Sequence, residues 1–198
     1  MQPAPDTTKT EVQKTVSRFV VDALRSTFTL QAFSTGLLSA FGHNPKIAVR
    51  DMQGQVQFVA SDGAIEDAQV NIRVDARSLE VIDDLSDKDR REIHRQTYDE
   101  VLEVERFSEI VFESLRVTVT GSGRLSAGLD GNLTLHGETR PLSISATVTI
   151  TGEILRASGE FQLSQSSFGI APVKVAGGAI RLKDEVKCTF NIAARKQG

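Results

Sequence analysis

Alternation of apolar and polar residues with a period of two is the feature that most constrains the fold of this chain. The longest uninterrupted case begins at Leu142 and ends at Ile150. Strict alternation buries one face of a strand and exposes the other, as in antiparallel sheet. The residues predicted to share the buried face are Phe28, Leu30, Val56, Phe58, Val70, Ile72, Val74, Leu115, Val117, Val119, Leu125, Ala127, Leu129, Leu133, Leu135, Leu155, Ala157, Phe161, Leu163, Val186, Cys188, Phe190 and Ile192.

The number and length of these segments predict an all-β fold. We count roughly eight strands, most of them joined by short connections that contain glycine or aspartate. Strands of this kind stack as a sandwich or close into a barrel, and their length and up-and-down order favour a lipocalin-like antiparallel barrel. The interior of an eight-stranded barrel is wide enough for side chains or for one small ligand.

One segment in the middle of the chain has helical spacing instead. Ser86 and Asp89 resemble a capping box. Apolar residues then recur every three or four positions, which predicts an amphipathic helix over residues 87–105. The spacing leaves open whether this helix covers an end of the barrel or packs on its outside.

Length and charge limit the remaining possibilities. A chain of 198 residues is predicted to form one domain, residues 16–198, after a flexible lead-in at residues 1–15. The net charge of −3 and the absence of a basic stripe argue against nucleic-acid binding. No apolar run is long enough for stable membrane insertion, and no signal-peptide pattern is seen, so we expect a cytoplasmic protein, or a periplasmic one if an export signal was removed.

Few residues offer reactive chemistry. The single cysteine, Cys188, lies in the buried phase and is predicted to be a core residue. His94 is predicted on the helix surface and His136 on the outer face of a strand. Their spacing indicates no metal site, and we predict no catalytic residues and no cofactor.

His43 stands apart because it lies between Gly42 and the pair Asn44-Pro45 at a predicted strand end. Its ring is expected either to bond within its own loop or to contact the polar end of a ligand at the barrel mouth. A further segment, residues 164–183, is predicted to be a long irregular loop with a functional role.

Phenylalanines spread over several strands suggest an apolar cavity suited to an apolar ligand. The predicted ligand-binding residues lie on the inner face of strands, on the 164–183 loop or at the mouth: Phe28, Leu30, His43, Phe58, Phe112, Leu133, Leu135, Phe161, Phe168 and Ile170.

The stretch GNLTLHGETRPLSI (131–144) resembles a motif of the YceI-like family of bacterial polyisoprenoid-binding, lipocalin-fold proteins. Other stretches follow in the order of the family, across residues 19–195: RSTFTL (25–30), His43 with GQVQF (54–58), VLEVERFSEIVFES (101–114), FGI (168–170) and DEVKCTFNI (184–192). The chain departs from the family at residues 106–109, which read Arg-Phe-Ser-Glu in place of a usual Tyr-Pro, and at Ser167, where a charged residue is common.

The resemblance implies a barrel that encloses a long apolar chain such as a polyprenyl quinone, for storage or transport and without catalysis. Two alternatives remain open from the residues. One is a redox or enzymatic accessory in which His43 or Tyr98 acts on a quinone-like head group. The other is an interaction domain with a filled core, which forms a homodimer through an exposed apolar patch.

Overall fold

The computed structural model describes residues 14–35, 44–61, 64–171, 173–175 and 180–197. His43 and most of the predicted lead-in lie outside them. The described strands are β1 (Thr15–Val21), β2 (Thr27–Gln31), β3 (Ser34–Thr35), β4 (Lys46–Val49), β5 (Met52–Ser61), β6 (Ala64–Asp75), β7 (Leu79–Val81), β8 (Glu109–Thr120), β9 (Arg124–Leu135), β10 (Glu138–Thr151), β11 (Ile154–Ser164), β12 (Lys174–Val175), β13 (Ile180–Leu182) and β14 (Glu185–Gln197).

The strands form a closed antiparallel barrel of eight, as the alternation predicts. Hydrogen bonds run from β1 through β5, β6, β8, β9, β10 and β11 to β14, and β14 returns to β1. Every neighbour along this ring is antiparallel. Short connections join β5 to β6, β8 to β9, β9 to β10 and β10 to β11, whereas longer segments join β1 to β5, β6 to β8 and β11 to β14. The β1–β14 pair closes the ring, although β6 and β8 pair only over residues 71–75 and 109–113, and β10 and β11 only over residues 147–151 and 154–158.

Three barrel strands are bent and consist of two segments each. β14 pairs with β1 through its last residues and with β2 through its middle, and a 3₁₀ turn at Ala23–Arg25 separates the two. The pairs β4–β5 and β6–β7 bend at the same level, the latter around a 3₁₀ turn at Ala76–Ser78. Beyond the bends, β2, β4 and β7 continue the sheet away from β8, so the barrel opens at this end.

A β-bulge in β8 changes one predicted phase. Ser114 pairs with Gly131, and Arg116 pairs with Asp130, so that Leu115 is the extra residue of the bulge. Its side chain is 75% exposed, which corrects the expectation that it shares the buried face. A bulge inserts one residue into a strand and moves the following side chains to the opposite face. For this reason Phe112 and Val117 both face the interior although they are five positions apart.

The predicted helix forms and covers the open end of the barrel. It begins as α1 (Asp87–Arg95), where the Ser86 hydroxyl accepts a hydrogen bond from the backbone N–H of Asp89, and continues as a π-helical turn over Gln96–Val101. It ends before the predicted residue 105, since Glu103 has a left-handed backbone with φ of 45°. Arg90 ties α1 to the end of β7 through bonds of 2.7 and 2.9 Å to two backbone carbonyls.

The segment 164–183 is more regular than predicted in its described part. A 3₁₀ turn at Ser166–Phe168 follows β11, and β13 pairs with both β12 and β3 in a small separate sheet. Phe168 and Ile170 are both buried in the main core instead of lying on an exposed loop. None of the helices in the described part of the chain has the length and apolar content that crossing a membrane requires.

The end of the barrel away from α1 is closed by its own small core. The rings of Phe19 and Phe58 stack with centroids 5.8 Å apart. Leu155 and Ala194 pack with them, so this small core, which we call the floor, joins four neighbouring strands of the ring, β5, β1, β14 and β11. Burial of two phenylalanines contributes about 2 to 3 kcal/mol for each side chain, which makes this floor a strong closure.

Candidate binding lumen

The interior of the barrel is not filled. A cavity of about 380 Å³ lies beneath α1, and we call it the helix-end cavity. Its volume falls within the range of small-molecule sites. The wall combines apolar strand residues, including Leu30, Ile47, Leu135 and Ile170, with a few polar side chains from α1 and the turn after β11. These polar residues are Asp89, Glu92, Gln96, Thr97 and Gln165.

A second cavity of about 190 Å³ lies deeper in the barrel, and we call it the sheet-end cavity. Every residue lining it is apolar. Five strands from β6 to β11 supply most of the wall through the alternating residues of their inner faces. This surface offers an apolar ligand burial at about 25 cal/mol per Å² without any directional bond.

The two cavities meet at a common set of apolar residues, which we call the waist: Phe28, Val74, Ile110, Leu133 and Phe161. Phe28 and Phe161 contact edge to face there, with centroids 6.3 Å apart. Because both cavities use these same side chains, they follow one another along the barrel. The geometry is that of an elongated lumen with one apolar end and one end that carries polar groups.

The structure brings most of the predicted site residues to this lumen. Leu30, Leu135 and Ile170 line the helix-end cavity; Phe58 and Phe112 line the sheet-end cavity; Phe28, Leu133 and Phe161 line both. Phe168 lines neither and packs in the core beside the lumen. Contact with a ligand remains a prediction for all of them, including His43, whose position lies outside the described residues.

Sequence reasoning missed the polar residues of the helix-end cavity. Asp89 and Glu92 read as solvated helix charges, and Gln165 lay in a segment predicted to be irregular. The spacing of Asp89, Glu92, Ile93 and Gln96, three or four residues apart, places them on one helix face. That periodicity was the available signal, but it does not reveal what the face covers.

Cys188 lies in the wall of the helix-end cavity and is 1% exposed. Burial raises the pKa of its thiol to about 12. A thiol with such a pKa carries almost no thiolate at neutral pH, and the thiolate is the nucleophilic form. The residue therefore acts as a small apolar wall residue, as predicted.

Tyr98 is engaged in holding the π-helical turn against the barrel. Its hydroxyl lies within hydrogen-bonding reach of the backbone carbonyls of Arg77 and Leu79, the latter at 2.9 Å. Burial is the main cause that raises the pKa of Tyr98. It does not line either cavity, so the alternative in which Tyr98 acts on a bound head group loses its geometric basis. His94 stacks on its ring from the exposed face of α1, as expected for a surface histidine.

His136 is covered, which corrects the expectation that it simply faces outward. Its side chain is 14% exposed, and its ring lies 4.5 Å from that of Phe107. Nδ1 contacts the backbone carbonyl of Phe168, and Nε2 contacts the Glu103 carboxylate, both at 3.3 Å. Both partners accept hydrogen bonds, so the ring satisfies both at once only when it carries two protons.

The tight turn between β9 and β10 explains why glycine follows this histidine. His136 and Gly137 both have positive φ, 53° and 76°, as a two-residue type I′ hairpin requires. A Cβ on Gly137 would lie 2.6 Å from the Phe107 ring. The turn at His136 and Gly137 therefore packs against two other segments: Glu103 and Phe107 after α1, and Phe168 after β11. Among the described residues, no group of three potential metal ligands lies together.

Comparison with known proteins places this architecture. The YceI-like domain family profile matches residues 5–194. A UPF0312 protein of Vibrio campbellii is 38% identical over 89 residues, 45% of this chain and 43% of the relative. A UPF0312 protein of Pseudomonas fluorescens is 32% identical over 50% of this chain and 47% of its own. The chain thus spans about half the length of the curated relatives it matches.

Solved structures with the same fold have low sequence identity to this chain. BcnA of Burkholderia cenocepacia superposes with a TM-score of 0.68 at 16% identity, over 87% of this chain and 98% of BcnA. A polyisoprenoid-binding domain from Saccharophagus degradans, implicated in plant cell wall breakdown, gives a TM-score of 0.63 at 12% identity, over 90% and 98% of the two chains. With the family profile matching nearly its whole length, the chain belongs to the YceI-like family.

Proposed function

We propose that this protein binds an apolar, isoprenoid-like lipid inside the barrel and stores or carries it without chemical change. The observation that carries the proposal is the sheet-end cavity, whose described lining is apolar and which shares the waist residues with a cavity that has a polar end. An empty apolar space loses dispersion contacts that a hydrocarbon chain restores. The Saccharophagus neighbour, a polyisoprenoid-binding domain, supports the same ligand class.

A polyprenyl quinone or a related long-chain isoprenoid is the ligand we propose. Its chain would occupy the sheet-end cavity and the waist, with the head group beneath α1. Exclusion of each further methylene from water contributes about 0.8 kcal/mol, so affinity is expected to rise with chain length until the lumen is full.

Extraction and displacement together test this proposal. Organic extraction of the purified protein, followed by mass spectrometry, should recover a long-chain lipid in stoichiometric amount. After delipidation, the neutral apolar dye N-phenyl-1-naphthylamine should fluoresce on binding, and geranylgeraniol should displace it. The chain has no tryptophan, so no tryptophan emission overlaps the signal. The proposal would be refuted if no lipid were recovered and geranylgeraniol failed to displace the dye.

A His43→Ala variant separates carriage from the enzymatic alternative. A lipid-binding protein should retain displacement and return the bound lipid unchanged. Conversion of a bound quinone that depends on His43 would instead support a redox accessory.

A further inference from the structure

Gln165 presents a fixed polar group to the helix-end cavity. The residue lines that cavity and is only 8% exposed. Its Nε2 donates hydrogen bonds to the backbone carbonyls of Lys183 and Asp184, both at 3.1 Å. Both partners can only accept, so the nitrogen must face them and the orientation of the carboxamide is determined.

The other atom of this carboxamide, Oε1, receives no hydrogen bond from the described residues, neither from a side chain nor from a backbone N–H. The described part of the chain also holds no fully inaccessible side-chain polar atom without a partner, so Oε1 retains some accessible surface. Because Gln165 lines the helix-end cavity and is otherwise buried, we infer that this surface faces the cavity. An acceptor in such a position is stabilised when a group in the cavity donates to it.

The neighbouring polar groups of the cavity are mostly acceptors as well. Asp89 and Glu92 carry carboxylates, and the pKa of Glu92 is lowered chiefly by its hydrogen bond with Arg95. Gln96 also lines the cavity and donates its Nε2 to Glu92 at 2.9 Å. No lysine or arginine is found among the described lining residues. The polar end of the lumen therefore combines negative charge with an unused carbonyl oxygen.

We propose that the helix-end cavity selects lipids whose head group donates hydrogen bonds, a hydroxyl or an amine, with Gln165 Oε1 as the acceptor. Phosphate and carboxylate heads are disfavoured, because their negative charge is repelled by Asp89 and Glu92 and, once fully ionised, they offer Gln165 no proton. Of a polyprenyl quinone, the reduced quinol head carries hydroxyl donors and is favoured, whereas the oxidised head only accepts and gains nothing from Gln165. This inference rests on the proposed lipid-binding function and specifies the chemistry of its ligand.

Four probes with the same C20 branched chain, or its saturated hydrocarbon, test this selectivity: geranylgeraniol, geranylgeranylamine, geranylgeranyl phosphate and phytane. Each is titrated against the delipidated protein loaded with N-phenyl-1-naphthylamine. We expect the alcohol and the amine to bind at least about tenfold more tightly than the phosphate, because only their head groups donate to Gln165 without adding negative charge beside Asp89 and Glu92. Phosphate binding as tight as the alcohol would overturn the inference and leave lipid binding intact. Failure of all four probes would instead refute the proposed function.

Variants then assign the effect to named residues. Gln165→Met has nearly the same shape and should remove most of the preference for alcohol over phytane. The matched control is Gln162→Met, an exposed glutamine on β11, which should preserve that preference. Gln165→Met also loses the hydrogen bonds to the carbonyls of Lys183 and Asp184. The single variants Asp89→Asn and Glu92→Gln therefore test the head-group preference independently. Each should reduce the preference for amine over phosphate; an unchanged preference in both would contradict the assignment.

Discussion

The two ends of the barrel are built from the same strands but differ in the polarity of their lining and in what covers them. At the sheet end, the lining is apolar and the Phe19 ring stacks on Phe58, while β6 and β8 pair only over residues 71–75 and 109–113, toward the other end. At the helix end, three strands bend away, α1 covers the opening, and polar side chains enter the wall. A cavity wall without polar groups can distinguish ligands only by the bulk and length of their apolar chains. If the proposal holds, we expect discrimination between head groups at the helix end only.

The largest effect concerns the reactivity of Cys188 in the helix-end wall. With its pKa raised to about 12 from an ordinary 9.0, the folded protein should react with a thiolate-directed reagent such as DTNB about a thousandfold more slowly than the chain unfolded in concentrated urea. Stability should fall as the pH rises past about 9, because only the unfolded chain then releases this proton. A cysteine placed at exposed Ser158 should react rapidly in the folded protein. Equal rates for both thiols would mean that water reaches this wall.

Gly131→Ala tests how tightly the strands pack where the lumen narrows. An added Cβ would collide with the carbonyl oxygen of Glu113 and lie 2.8 Å from Phe112 Cζ. We expect a loss of about 2 to 3 kcal/mol in the free energy of unfolding, measured with urea. Gly128→Ala on the same strand is the control, since its Cβ would meet no atom within 4 Å. A stable Gly131→Ala protein would show that β8 and β9 adapt more easily than their contacts imply.

Ala157→Leu narrows the sheet-end cavity alone. Ala157 lines that cavity, and the larger side chain should exclude one or two methylenes of a long ligand. Displacement titrations should show about a tenfold loss for a long isoprenoid and little change for a short one. Ser158→Leu places the same side chain on the outer face and should leave both affinities unaltered. Equal losses for long and short chains would contradict the division into two cavities.

His136→Ala loosens the helix end without touching the floor. It removes the contacts of the ring with Phe107, Glu103 and the carbonyl of Phe168, and should lower stability by about 1 to 2 kcal/mol. Asparagine tolerates the left-handed backbone at this position, so His136→Asn separates loss of the ring from backbone strain. Hydrogen exchange should accelerate in residues 96–108 and remain slow in β1 and β5. Faster hydrogen exchange in β1 and β5 as well would show that the contacts of His136 stabilise the whole barrel.

The smallest effect is the acid sensitivity of Glu103. Its hydrogen bond with Arg106 is the main cause that lowers its pKa, with a lesser contribution from His136. A carboxyl with a lowered folded-state pKa stabilises the protein above its unfolded value near 4.5 and loses this contribution as the pH falls through the folded one. Glu103→Gln should therefore flatten stability between pH 5 and 3 slightly, in urea titrations at about those pH values. Asp99→Asn, exposed on the same segment, should leave the slope unchanged.

The regular parts of the barrel could be predicted from sequence, and the exceptions have physical causes. Period two identified the inner face of β9, β10 and β11 because those strands are continuous. It failed at Leu115, where pairing with β9 accommodates an extra residue that no local pattern reveals. It also failed for His136, since the residues that cover it, Phe107 and Phe168, lie about thirty positions away.

The polar end of the site was the part least accessible to sequence reasoning. In the sequence, Glu92 and Gln96 cannot be distinguished from solvent-exposed helix residues. They line the helix-end cavity only because α1 packs over the open end of the barrel. Gln165 depends on a backbone path at Lys183 and Asp184 that fixes its carboxamide. Such roles arise from tertiary placement and not from residue spacing.

The seam between β1 and β14 carries a consequence for the order of folding. It joins strands from opposite parts of the chain, and the ion pair between Asp22 and Arg195 beside it spans 173 positions. The hairpins from β8 to β11 are local and are expected to form early, whereas distant pairing is slow. The cavities inside the barrel are enclosed only when β1 pairs with β14. A lipid present at that moment is enclosed by the folding chain, and need not thread through the mouth afterwards.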